Sequence, residues 1–97
     1  VDVRKSSCTF GCWSSLILSE TSDFVLWIPA GFAHGFLALE NQTIVTYKAT
    51  DFWEKKYEKT LVWNDPDIGI EWPENIAPII SYKDLSGLPL SALEFFD

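Results

Sequence analysis

The most apolar stretch of the chain, residues 24–39, is interrupted by Pro29, Gly31 and Gly35. Sixteen residues broken three times are too short and too irregular to span a bilayer, which needs about 20 consecutive apolar residues in a helix. No membrane association is expected. The same stretch holds the only histidine, His34, between glycines and phenylalanines in Ile28-Pro29-Ala30-Gly31-Phe32-Ala33-His34-Gly35-Phe36. On its residues alone, His34 is either a satisfied core side chain or a piece of an active site.

The remaining pattern favours short strands over helices. Segments 13–19 and 24–28 are apolar runs separated by the polar cluster Glu20-Thr21-Ser22-Asp23. Segments 35–40 and 43–49 read as a hairpin around Asn41-Gln42. In its second arm Val45, Tyr47 and Ala49 share one face, so Tyr47 is expected to point inward. Residues 51–59 form a charged, aromatic connector, and 61–63 a last short strand. Asn64-Asp65-Pro66-Asp67-Ile68-Gly69-Ile70 then specifies turns. Pro73, Pro78 and Pro89 keep the remainder from forming a regular strand array. Ser81-Tyr82-Lys83-Asp84 and Ser91-Ala92-Leu93-Glu94 both fit a capping box and predict two short helices. The expected organisation is one domain, with a strand core over about 1–63 and a Pro-rich tail over 64–97. An antiparallel sandwich or barrel follows.

Ninety-seven residues limit the chain to one domain at most, yet it carries five Trp and seven Phe. So much aromatic area suggests a cavity wall or a subunit interface. Seven basic against fourteen acidic residues give a net charge of -7, which argues against a nucleic-acid partner. Cys8 and Cys12 are too few for a disulfide framework or, with one His, for a zinc site. Both are expected to be reduced, half-buried thiols in a cytoplasmic protein. The chain has no Met and opens on Val1-Asp2-Val3-Arg4 as though in mid-strand, which suggests a piece of a longer protein. No secretory leader pattern is read.

Four segments, in order, carry a family resemblance. They are Val1-Asp2-Val3-Arg4 with Thr9-Phe10-Gly11-Cys12-Trp13, then Leu26 through Phe36, then Tyr47-Lys48-Ala49-Thr50-Asp51, and then Asn64 through Pro73 with Ser81 to Asp84. Together they resemble the C-terminal part of the dTDP-4-dehydrorhamnose 3,5-epimerases. The resemblance implies an all-β cupin fold, a double-stranded β-helix or jelly roll. That fold would be incomplete here, with a short helical tail, and would form a homodimer. It also implies a nucleotide-linked 4-keto-6-deoxyhexose substrate, epimerised at C3 and C5 in dTDP-rhamnose biosynthesis. No cofactor is implied, neither NAD nor a metal, because the sugar's own ketone is the electron sink.

By the same resemblance Tyr47 is the catalytic acid, and Asp84 orients a histidine base. That base lies in an Arg-Gly-Leu-His segment of the family which these residues do not contain. His34, Trp53 and Lys48 are then substrate-binding residues: His34 at the sugar or its enolate, Trp53 where relatives often carry a tyrosine that can stack on the base. Each also has a plainer reading. Tyr47 is a cross-strand core aromatic, Trp53 an exposed ring, and Asp84 the acid of a capping box. The alternative from another class is a catalytically silent, truncated cupin that binds sugar nucleotide or serves assembly.

Overall fold

A computed structural model describes residues 1–94. The last three positions of the predicted tail lie outside the described residues. Helix is scarce: one short α-helix, α1 (Tyr82–Leu85), and two single 3-10 turns, Lys55–Tyr57 and Leu90–Ala92.

The chain starts in an antiparallel pairing. Val1 and Ala33 exchange both backbone hydrogen bonds at 2.9 Å, and Val3 N–H donates to the Gly31 carbonyl at 3.0 Å. Asp2 stands opposite Phe32 as a β-bridge. Gly31 adopts φ 88, and a Cβ on it would fall 2.5 Å from Arg4 Cγ. Only glycine serves both the positive φ and the close approach.

The tail is fastened at a second point. Asn64 through Ile70 turns as its Asx, Pro and Gly residues predict: Ile68 and Gly69 N–H both reach the Asp65 carbonyl, and Gly69 has φ 69. The buried Asp65 carboxylate accepts from Asp67 N–H at 2.9 Å and from Leu90 N–H at 2.6 Å. Leu61 bridges Leu88 in parallel, through Val62 N–H to the Leu88 carbonyl and Leu88 N–H to the Thr60 carbonyl. Trp72 Nε1 donates to the Trp63 carbonyl at 2.8 Å, and the two rings meet edge to face.

Of the two predicted capping boxes, one forms. Ser81 Oγ accepts from Asp84 N–H at 3.2 Å and starts α1. Ser91 instead lies inside the turn Leu90–Ala92, capped by Pro89 without a side-chain bond. With Asp65 accepting from Leu90 N–H, the turn starts at Leu90, so Ser91 falls inside it and not at its cap position.

The strand expectation needs a larger correction. Segments 13–19, 24–28, 35–40 and 43–49 make no ladder among the described residues, and 61–63 keeps only its bridge. The predicted turns are present: Ser22 N–H reaches the Ser19 carbonyl, and Gln42 takes φ 61 beside a Thr43 Oγ1 bond to the Glu40 carbonyl. Their arms do not pair. Alternation assigns side chains to a face, but a strand is stabilised only when that face meets another layer. Here Val25 and Ile44 are each 90% exposed. Ile68 and Leu90 are the buried apolar side chains among the described residues. The radius of gyration, 14.2 Å, exceeds the roughly 12.5 Å expected of a compact domain this long. Cys8 and Cys12 are exposed rather than half-buried.

Candidate active site

Two polar clusters organise the described residues. The first is built on Asp2, whose side chain is 2% exposed. Its carboxylate receives Arg4 Nε at 3.0 Å and Nη2 at 2.9 Å, Ser7 Oγ and Thr9 Oγ1 at 2.6 Å each, and Arg4 N–H at 3.0 Å. These donors, Arg4 foremost, hold the Asp2 carboxyl far below the usual carboxylate range. Asp2 in turn raises the Arg4 pKa. The guanidinium also sits 4.8 Å from the Phe32 ring centroid, so the first and second resembling segments are clasped together. Beside this clasp, a cavity of about 210 Å³ is lined by Val3, Gly31, Phe32, Tyr57, Lys59 and Leu93 among others. The Lys59–Glu94 ion pair, 3.3 Å, lies at its edge.

The second cluster gathers predicted site residues. Glu58 joins Lys83 through one carboxylate oxygen and accepts from Trp53 Nε1 through the other, at 3.2 Å. Lys83 holds the Glu58 carboxyl below its ordinary value, and Glu58 raises Lys83. Asp84 and Tyr47 add smaller electrostatic contributions that favour the Lys83 ammonium. Trp53 therefore touches the ion pair through Glu58, and Asp84 follows Lys83 on α1, while Tyr47 makes no hydrogen bond or ion pair with any of them.

The other two predicted residues stand apart. His34 and Lys48 are exposed and make no hydrogen bond or ion pair among the described residues. Tyr47, expected inward, is 79% exposed, because no layer lies opposite the 43–49 segment. Its neighbours Val45 and Ala49 are exposed with it. Trp53 presents 70% of its surface, which fits a free ring better than a core one. Glu58 and Lys83 were not anticipated as site residues. The available signal was Lys83 within Ser-Tyr-Lys-Asp and an acid close to Lys55, Lys56 and Lys59. Among the described residues no three His, Cys, Asp or Glu side chains gather to hold a metal, and no helix is long and apolar enough to cross a membrane.

The family described as dTDP-4-dehydrorhamnose 3,5-epimerase matches residues 1–92, which include every segment of both clusters. The chain belongs to that family. Among its relatives, the dTDP-4-dehydrorhamnose 3,5-epimerase of Neisseria gonorrhoeae is 51% identical over 87 residues, 90% of this chain and 26% of that protein. That of Pseudomonas aeruginosa is 45% identical over 96 residues, 99% of this chain and 53% of the relative. The Methanothermobacter thermautotrophicus protein is 47% identical, covering 93% and 50%. This epimerase-family chain thus spans about half, or less, of the length of these curated relatives. No solved structure matches it.

Proposed function

We propose that the protein to which these residues belong epimerises a dTDP-linked 4-keto-6-deoxyhexose at C3 and C5, without a cofactor, in cytoplasmic dTDP-rhamnose biosynthesis. The observation that carries this reading is the family match over residues 1–92, with Trp53 joined through Glu58 to Lys83, the neighbour of Asp84 on α1.

The C4 ketone makes the protons on C3 and C5 acidic. A base removes the C3 proton, and the C–H electrons move into the carbonyl as an enolate. An acid on the opposite face then returns a proton to C3, inverting it, and the sequence repeats at C5. Tyr47 is the proposed acid. Asp84 is proposed to orient the histidine of an Arg-Gly-Leu-His segment, as a carboxylate steadies an imidazole elsewhere. His34 is proposed to meet the sugar or the enolate oxygen, Lys48 the substrate's negative charge, and Trp53 the base face.

An acid as exposed as Tyr47 works best where water is excluded. The proposed cover is the remainder of a cupin jelly roll, in which segments 13–19, 24–28, 35–40 and 43–49 find partner strands. Unpaired edges of this kind also favour association into the proposed homodimer.

The second reading, a catalytically silent sugar-nucleotide-binding or assembly module, is favoured by one observation. Tyr47, the proposed acid, is 79% exposed, and no imidazole bonds Asp84 among the described residues. NMR of the dTDP-4-keto-6-deoxyhexose in D2O with the intact protein separates the two. Deuterium at C3 and C5 with inversion supports the epimerase. Binding without exchange supports the silent module and overturns the catalytic reading, and the absence of both overturns the two together.

A further inference from the structure

We infer that Glu58 is a positioning residue for nucleotide binding: locked to α1 by Lys83, its carboxylate fixes the Trp53 indole as a base-stacking platform. The inference rests on the proposed role of Trp53 and adds the two residues that make the ring a fixed surface.

The geometry starts from the backbone. The 3-10 turn Lys55–Tyr57 is closed by Tyr57 N–H to the Glu54 carbonyl and Glu58 N–H to the Lys55 carbonyl, both 3.1 Å. It folds the connector back on itself so that Glu58 meets Trp53 five positions earlier. The two carboxylate oxygens are divided between two donors, indole on one and ammonium on the other. Neither donor competes with the other. Glu58 is the more covered partner of the ion pair, 28% exposed against 61% for Lys83, so it forms the inner member of the group.

An exposed ion pair of this kind contributes little to folding. Its consequence is geometric: it anchors a connector with no buried residue in its turn to the only α-helix among the described residues. The hydrogen bond engages the ring edge and leaves Trp53 70% exposed, and stacking needs an accessible ring face. A ring already held in place loses less freedom when a base lands on it.

Thymidine diphosphate is the probe, because it carries the base and diphosphate without the reacting sugar. Its affinity is measured by calorimetry on the intact protein in a double-mutant cycle of Glu58→Leu and Trp53→Phe, which keeps a ring but removes the indole N–H. Glu58→Leu is expected to weaken binding about 3- to 10-fold, the scale of one hydrogen bond. In the Trp53→Phe background it is expected to change affinity by less than about twofold, because its route to the ligand is gone. Unchanged affinity in Glu58→Leu, or an equal loss in both backgrounds, overturns the inference while leaving the proposed function standing. No binding of thymidine diphosphate by the unaltered protein overturns both. Lys83→Met runs the same cycle with every connector side chain retained, so a Glu58→Leu protein that fails to fold does not end the test. Affinity equal to the parent in Lys83→Met removes the lock and overturns the inference too.

Discussion

The backbone N–H of Leu90 donates to the buried carboxylate of Asp65 at 2.6 Å, across 25 positions of sequence. One side chain thereby shapes its own turn, through Asp67 N–H, and fastens the tail to it. Asp65→Ala is expected to destabilise the fold by about 1–3 kcal/mol, the cost of leaving buried donors without an acceptor. Asp65→Asn keeps one carbonyl oxygen and is expected to lose less. Urea denaturation midpoints rank the two, and an unchanged midpoint in Asp65→Ala contradicts the role.

Asp2 predicts a pH dependence. Its folded pKa is depressed, chiefly by Arg4 with help from Ser7 and Thr9. The stability it contributes is therefore fully present above the unfolded carboxyl pKa of about 3.9. It is lost as pH falls from there through the folded value. Asp2→Asn is expected to be less stable at neutral pH and to show a shallower decline in stability below about pH 4. Denaturation series from pH 7 downward compare the slopes, and parallel declines in parent and variant would count against the assignment.

Gly31→Ala meets two obstacles, the positive φ and the Arg4 stem. The backbone alone costs about 1–2 kcal/mol, and displacing Arg4 from Asp2 adds to it. Adding Arg4→Ala should relieve the collision but not the φ penalty, so the cost of Gly31→Ala is expected to be smaller in the Arg4→Ala background. Equal cost in both backgrounds would show that Arg4 yields freely.

Tyr47→Phe removes the proposed acid and leaves the ring. Inversion is expected to fall about 100- to 10,000-fold, while substrate protons still exchange with solvent deuterium because the base acts first. NMR in D2O follows exchange, and coupled reduction of the product follows inversion. Inversion at the parental rate assigns the proton to another group.

Local chemistry was legible from the sequence. The Asx and Gly residues around Asp65 specify their turn, and Ser81 specifies the start of α1, because each interaction closes within a few residues. The donors to Asp2 also lie within seven positions, so an Asp followed by Arg, Ser and Thr was a usable signal. What the sequence did not reveal are contacts chosen by distant parts of the chain. Glu58 meets Lys83 across 25 positions, and the turn that Asp65 helps to hold starts at Leu90, one residue before Ser91. Alternation placed Tyr47 with Val45 and Ala49 on an inward face, yet both faces of 43–49 are exposed, because no pattern within one strand says what lies opposite.

The pairing of Val1 with Ala33 fixes a register in which opposed positions sum to 34. A peptide bond on the Val1 nitrogen would keep an N–H for the Ala33 carbonyl. Any residue attached there would come to lie across from His34, and the one before it across from Gly35. Backbone joined at that nitrogen would therefore continue the pairing alongside the histidine proposed to meet the sugar.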